Sequence, residues 1–253
     1  MTLTTSRRLV DHLRAGAKGR KISEVRIGLG YTAVALDSGQ AGVAWTPRSE
    51  ARGCTHLQSA GTLAGQPAGA LLEYLAEGPS DLARAIGLAT ANALLAALPR
   101  PPGGQDDVLV TLGVAPEERV VMVGYFRPLV ARLRATGCRL DIVERIPSPG
   151  EALTPEQGEE ALAHCDVALI TGTCLINGTC DRLLAHLGQP RAAVLLGPSS
   201  PLCPEVFRET RITHLAGARV RDAQAVLRIV SEGGGTMVLK PHMDFETAVV
   251  LRP

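Results

Sequence analysis

Apolar positions change rhythm partway along the chain. From Val25 they alternate, with Val25, Ile27, Leu29, Tyr31, Ala33 and Ala35 toward one face and Arg26, Gly28, Gly30 and Thr32 toward the other. Period two is the signature of a half-buried strand. Asp37-Ser38-Gly39-Gln40 has turn chemistry, so Ala41 to Trp45 is expected to return as the paired strand. Ahead of this hairpin, Leu3, Val10 and Leu13 fall near helical spacing and predict a surface helix. Behind it, helical patterns cover Ala68 to Glu77 and a stretch that opens at Ser80, a good N-cap, and runs through Leu82, Ile86, Leu94 and Leu98 to Pro99. The segment 99–105 is rich in proline and glycine and is expected to form neither helix nor ladder. It divides the chain into expected domains 1–105 and 106–253.

The second half replaces alternation with short apolar, β-branched runs at 119–123, 140–143, 167–170, 192–196 and 212–215. Helix-like segments at 128–136, 155–164, 177–187 and 221–231 separate most of them. Continuous apolar strands belong to a sheet covered on both faces. Strand and helix in alternation predict an α/β fold with a doubly wound, Rossmann-like parallel sheet and right-handed crossovers. Ligands in such sheets lie outside the carboxyl ends of the strands.

Composition narrows the function classes. The chain of 253 residues is 45% apolar and 20% charged, which is globular composition and excludes disorder. A net charge of +1 and only seven aromatics (three Phe, three Tyr, one Trp) argue against a nucleic-acid partner. No apolar run reaches the length of a membrane span, and the basic N-terminus lacks the apolar stretch of a secretory signal. Six cysteines without a C-x-x-C pair predict reduced thiols and a cytoplasmic protein.

The strand-end loops carry the candidate chemistry. Gly124-Tyr125-Phe126-Arg127-Pro128 combines a tight-turn glycine with a helix-opening proline. Glu144 ends the next strand, where a dinucleotide-binding fold places a ribose-binding carboxylate, although neighbouring Arg145 offers it a simple surface partner. Gly28-Leu29-Gly30-Tyr31-Thr32-Ala33 fits G-x-G-x-x-A with Glu50 downstream, but no helix follows to receive a pyrophosphate, so it reads as hairpin. The loop Thr171 to Thr179 holds more hydroxyl and amide groups than one helix cap requires, and is a site candidate for an anion or a polar ligand. Gly197-Pro198-Ser199-Ser200-Pro201 approaches a nucleophile elbow, yet Pro201 replaces its second glycine, so a stiff cleft wall is the better reading. The fifth strand is expected to end at Leu215-Ala216-Gly217, where Gly217 permits close approach. Cys54, His56, His164, Cys165, Cys174, Cys180 and Cys203 show no four-ligand zinc spacing. Each cysteine taken separately reads best as a buried small apolar residue; Cys174 and Cys203, on strand-end loops expected to converge, could together supply soft metal ligands, with Glu144 as a further metal candidate.

Taken in order, Val123-Gly124-Tyr125-Phe126-Arg127-Pro128-Leu129, Val143-Glu144-Arg145, the loop Thr171 to Thr179, Leu196-Gly197-Pro198-Ser199-Ser200-Pro201 and Leu215-Ala216-Gly217 resemble a heavy-metal-chelation family classed as a domain of unknown function. The resemblance is strong over 107–235. It continues more weakly in Gly30-Tyr31-Thr32-Ala33 and in Gly87-Leu88-Ala89-Thr90-Ala91-Asn92-Ala93. It implies an N-terminal α+β domain like that of enolase, packed on the Rossmann-like domain, with a site in the cleft between them. Carried over, that site uses Glu144, Thr171, Thr173, Asn177, Thr179, Gly197, Pro198 and Ser199, with Tyr125 and Phe126 as wall. Cys174 and Cys180 fall at variable positions of the family pattern, which favours oxygen ligands or a metal carried by its own chelator.

Three readings stand at this point. The chain binds a small molecule or metal chelate, with a transition or heavy metal of undetermined identity. Alternatively, it is an enzyme on a small anionic or nucleotide-like substrate, although no carboxylate pair is visible in the sequence. In the third reading the loops serve only packing. The oligomeric state stays open, a homo-oligomer included.

Overall fold

The structure, a computed structural model, describes residues 3–47, 56–104, 107–144 and 152–252. Glu50, Cys54 and Arg145 lie outside the described residues. Helix α1 (Thr5–Ala17) starts where Thr4 Oγ1 accepts from Arg7 N, and it buries Leu9, Val10 and Leu13. Leu3 precedes the helix and is exposed, so it does not join the apolar stripe. Helices α2 (Ala68–Glu77) and α3 (Asp81–Ala96) occupy the expected stretches, and Ser80 Oγ caps α3 by accepting from Ala83 N at 3.2 Å.

Strands β1 (Ile22–Ile27), β2 (Tyr31–Leu36) and β3 (Ala41–Trp45) form an antiparallel three-stranded sheet. The single strand expected from Val25 to Ala35 is therefore two. The chain reverses at Leu29-Gly30, where Gly28 N donates to Tyr31 O at 2.9 Å. A two-residue turn keeps apolar residues in step along the sequence while exchanging which of them share a face. Val25 pairs with Val34 and Ile27 with Thr32, so neither shares a side with Tyr31, Ala33 and Ala35. Both faces of β2 are covered. Val34 and Leu36 pack with α1, α2 and α3, while Tyr31, Ala33 and Ala35 pack with Val226, Leu227 and Val230 of α9 (Ala223–Ser231). Helix α3 rests directly on the β3 backbone. A Cβ at Gly42 would lie 2.2 Å from Ala93 N and 2.3 Å from Ala89 O.

The large sheet has seven strands in the order β4-β10-β9-β8-β7-β5-β6. These are β4 (Gly103–Gly104), β5 (Arg119–Val123), β6 (Arg139–Val143), β7 (Val167–Thr171), β8 (Ala192–Leu196), β9 (His214–Val220) and β10 (Met243–Val249). Strands β6, β5, β7, β8 and β9 run parallel, as expected of a doubly wound α/β fold, and β10 and β4 add an antiparallel edge. Two expectations change here. Gly103-Gly104, assigned to an unpaired linker, pairs with Ala248 and Thr247. The fifth parallel strand does not end at Gly217 but runs on to Val220, because β10 continues to pair with it.

Alternate residues of each parallel strand enter different cores. Val120, Met122, Val167, Leu169 and Val194 pack with α4 (Val108–Leu112) and α5 (Arg127–Ala135). Val121, Ala168, Ile170, Ala193 and Leu195 join a cluster containing Leu162 of α6 (Pro155–Ala163), Cys180 of α7 (Cys180–His186) and the helices of the first half. The chain leaves β5 for β6 through α5 on one face, then returns past β5 to β7 through α6 on the other. That reversal opens a crevice at the carboxyl ends of β5 and β7.

Candidate functional site

A cleft of about 710 Å³ lies at this crevice. Tyr125, Phe126, Glu144, Thr171, Thr173, Asn177, Thr179, Gly197, Pro198 and Ser199 all line it, together with Cys174. Cys203 does not. Trp45 and Tyr31 of the small sheet and Asp81 of α3 contribute the remaining side of the wall.

Close backbone approach shapes the floor. Gly124 and Gly197 have φ of 92° and 107°, a region open to glycine. The Phe126 ring lies against both, 3.3 Å from where a Cβ on Gly197 would sit and 3.6 Å from one on Gly124. Tyr125, next to it, is 50% exposed at the mouth. Gly172 lies so near the β8 loop that a Cβ would meet Ser200 N at 2.7 Å. Gly217, expected at a strand end, lies mid-strand, and the close approach it permits is by that same loop, where its Cβ would meet Ser200 O at 2.6 Å.

The loop after β7 is held largely by its own side chains. Thr171 Oγ1 accepts from Thr173 N at 3.3 Å and lies 3.0 Å from Thr173 Oγ1. Asn177 Oδ1 accepts from Thr179 N at 3.1 Å and from Thr179 Oγ1 at 2.7 Å. A 3-10 turn spans Gly172–Leu175 and α7 starts only at Cys180, later than expected, because this Asx turn replaces the first helical turn. Contacts from the first half brace the cleft loops. Trp45 N donates to Ser199 Oγ at 2.9 Å, Arg84 Nε donates to Ile176 O at 2.6 Å, and Thr5 N donates to Asp181 Oδ1 at 2.9 Å. Ser199 is 3% exposed, and its oxygen serves this brace.

The charged lining contains groups that the sequence pattern did not single out. Glu156 and Glu159 stand one turn apart on α6, and Arg182 on the neighbouring α7 lines the cleft with them. Glu159 pairs with Arg182 and lies 3.3 Å from His186 Nε2, while Asp81 pairs with Arg84. Glu144 and Glu156 make no ion pair with any described residue. Carboxylates do gather here, contrary to the sequence expectation, because α6 turns its first residues toward the end of β6. The i, i+3 spacing of Glu156 and Glu159 was the available signal. Burial pushes the Tyr31 hydroxyl up, and it lies 2.7 Å from Thr236 Oγ1.

Cys165, Cys174, Cys180 and Cys203 are buried, as small apolar residues are expected to be, but the expected convergence of Cys174 and Cys203 is not found. Cys174 is buried beside Cys180, whose hydrogen bond, together with burial, holds the Cys174 thiol well above its ordinary value. Cys203 lies by Glu205, and burial pushes its thiol up to about 12. Cys165 is pushed up to about 11 for the same reason. Among the described residues, the cleft brings no three His, Cys, Asp or Glu side chains close enough to share one ion. The cleft residues thus do not fit an all-protein metal cage. They offer hydroxyl and carboxylate oxygens on one side and aromatic rings on the other.

Fold and site define a doubly wound α/β protein with a switch-point cleft, completed by a small antiparallel sheet. The chain belongs to the DUF364 family, which matches residues 107–249, and residues 10–95 match the family DUF4213; both are described as "Putative heavy-metal chelation". An uncharacterized protein of Methanocaldococcus jannaschii is 28% identical over 141 residues, 54% of this chain and 54% of that protein, so the match spans about half the length of that relative. A crystal structure of a DUF364 protein of unknown function from Pyrococcus horikoshii superposes with a TM-score of 0.84 at 21% identity, covering 98% of this chain and 100% of that one. A second, from Desulfitobacterium hafniense, gives 0.77 at 22% identity and covers 95% and 98%. At these identities the structural likeness speaks for the fold. Among the described residues no helix is long and apolar enough to cross a membrane.

Proposed function

We infer that the chain binds a small molecule carrying a metal ion, a metal chelate, in the cleft between the 1–105 and 106–253 units. One observation carries this reading: oxygen donors line the cleft, yet among the described residues no three His, Cys, Asp or Glu side chains there come close enough to share an ion. A chelator that brings its own donors removes that shortfall. In this reading the Thr171, Thr173, Asn177 and Thr179 groups and the backbone at Gly197 hold the chelator's polar atoms. Tyr125, Phe126 and Trp45 cover its apolar part. Glu144, which makes no ion pair with a described residue, balances the ion's charge or supplies one ligand.

A second reading, an enzyme on a small anionic or nucleotide-like substrate, rests on Arg182, a cation that lines the cleft beside its ion-pair partner Glu159. Elemental analysis and native mass spectrometry of protein purified without affinity tag or chelator separate the two. The chelate reading expects a co-purifying organic mass that contains a metal and is lost in Glu144→Gln. A clean apo mass, with turnover of a metal-free substrate, overturns it in favour of the enzyme.

A further inference from the structure

Away from the cleft, three ligating side chains converge on one point. His12 on α1, and Cys203 and Glu205 at the start of α8 (Pro204–Phe207), place one nitrogen, one sulfur and one oxygen within 4.8 Å of one another. His12 and Glu205 are exposed, whereas Cys203 is 1% exposed. We propose that His12, Cys203 and Glu205 form a binding site for a borderline-soft divalent cation of the zinc group, distinct from the cleft.

The donor set fits that class of ion. Thiolate, imidazole and carboxylate together are a zinc-type combination, and three protein ligands leave a fourth tetrahedral position for water or an exogenous ligand. Thiolate and carboxylate carry two negative charges, so a divalent ion leaves the site neutral. On binding, the Cys203 thiol proton leaves to solvent and the sulfur lone pair forms the bond to the metal. Bond lengths of about 2.0–2.3 Å put tetrahedral ligand atoms roughly 3.4–3.6 Å apart. Cys203 Sγ and Glu205 Oε2, at 3.6 Å, already match this.

The parts that must move are the ones free to do so. Cys203 is fixed: its N–H donates to Pro201 O at 2.9 Å, and Pro204 restricts its backbone. His12 and Glu205 carry the adjustable, solvent-facing side chains. Arg8, one turn before His12, is drawn instead to Glu209 at 3.7 Å. A bound ion would clip α1 to the same β8 loop whose first residues, Gly197 to Ser199, wall the cleft. Sequence spacing could not reveal the site, because His12 and Cys203 lie near opposite ends of the chain.

Titration of the metal-free full chain with Cd²⁺ tests this. The probe reads the ultraviolet thiolate-to-metal charge-transfer band and the binding isotherm. The expected result is one equivalent bound with the band present. The band should vanish in Cys203→Ser, and affinity should fall about 100-fold or more in His12→Ala and in Glu205→Gln. Glu144→Gln should bind Cd²⁺ as the parent does, which keeps this site separate from the cleft reading. A band that persists in Cys203→Ser, or parental affinity in either exposed-residue variant, overturns the proposal. If Cys203→Ser fails to fold, the two exposed variants decide alone.

Discussion

The two loops that wall the cleft are built in opposite ways. The loop after β7 is held mainly by itself, through Thr171 with Thr173 and Asn177 with Thr179, with one outside brace from Arg84 to Ile176 O, and most of its polar side chains are only partly buried. The loop after β8 is held by its neighbours. Trp45 N reaches Ser199, Gly172 and Gly217 admit its backbone at close range, and its stretch from Ser199 to Pro204 is buried. A self-held loop can exchange internal hydrogen bonds for bonds to a ligand without disturbing the core. A neighbour-held loop cannot, and it serves as the fixed surface against which the other adapts.

Substitutions sharpen this contrast, beginning with the largest effect. Gly172→Ala forces a Cβ into the Ser200 backbone and should cost about 3 kcal/mol in denaturant unfolding. A loss below about 1 kcal/mol would mean the β8 loop yields, and the contrast fails. Ser199→Ala leaves the part-buried Trp45 N–H without its acceptor and should cost about 1 kcal/mol. Unchanged thermal stability would show that the brace is dispensable. Asn177→Ala removes the acceptor for Thr179 and should cost about 1 kcal/mol, with a larger loss of ligand affinity than that figure explains. A lower melting point with normal binding would reduce Asn177 to a cap. Glu144→Gln should change stability by less than about 1 kcal/mol while removing ligand binding. The reverse pattern would make Glu144 structural.

The parallel sheet was legible in the rhythm of the strands, and the position of a crevice followed from it. Strand-end placement is a topological rule, so reading Val167 to Ile170 as a buried strand was enough to point at Thr171 through Thr179. Helix α2 was legible because Pro67 and Gly78 bracket its apolar stripe. What escaped depends on contacts distant in sequence. Two strands joined by Leu29-Gly30 read as one, because an even turn preserves the alternation. Strand β10 goes unread because β9, not its own composition, decides its place. Cys174 and Cys203 share a chemistry but not a location, since one packs against Cys180 and the other reaches α1.

The largest hydrophobic cluster runs without a break from Leu9, Leu72 and Leu88 through Ile170 and Leu195 to Phe207 and Val250. The sheets on either side of the cleft therefore share an interior rather than meet at a seam. Heating should melt them in one calorimetric transition, although two family matches divide the chain. Rocking one sheet against the other would break that shared interior, so the cleft is expected to keep its width on binding. If so, ligand exchange has no hinge between the sheets to wait for, and residence time in the cleft would follow the contacts made with its wall.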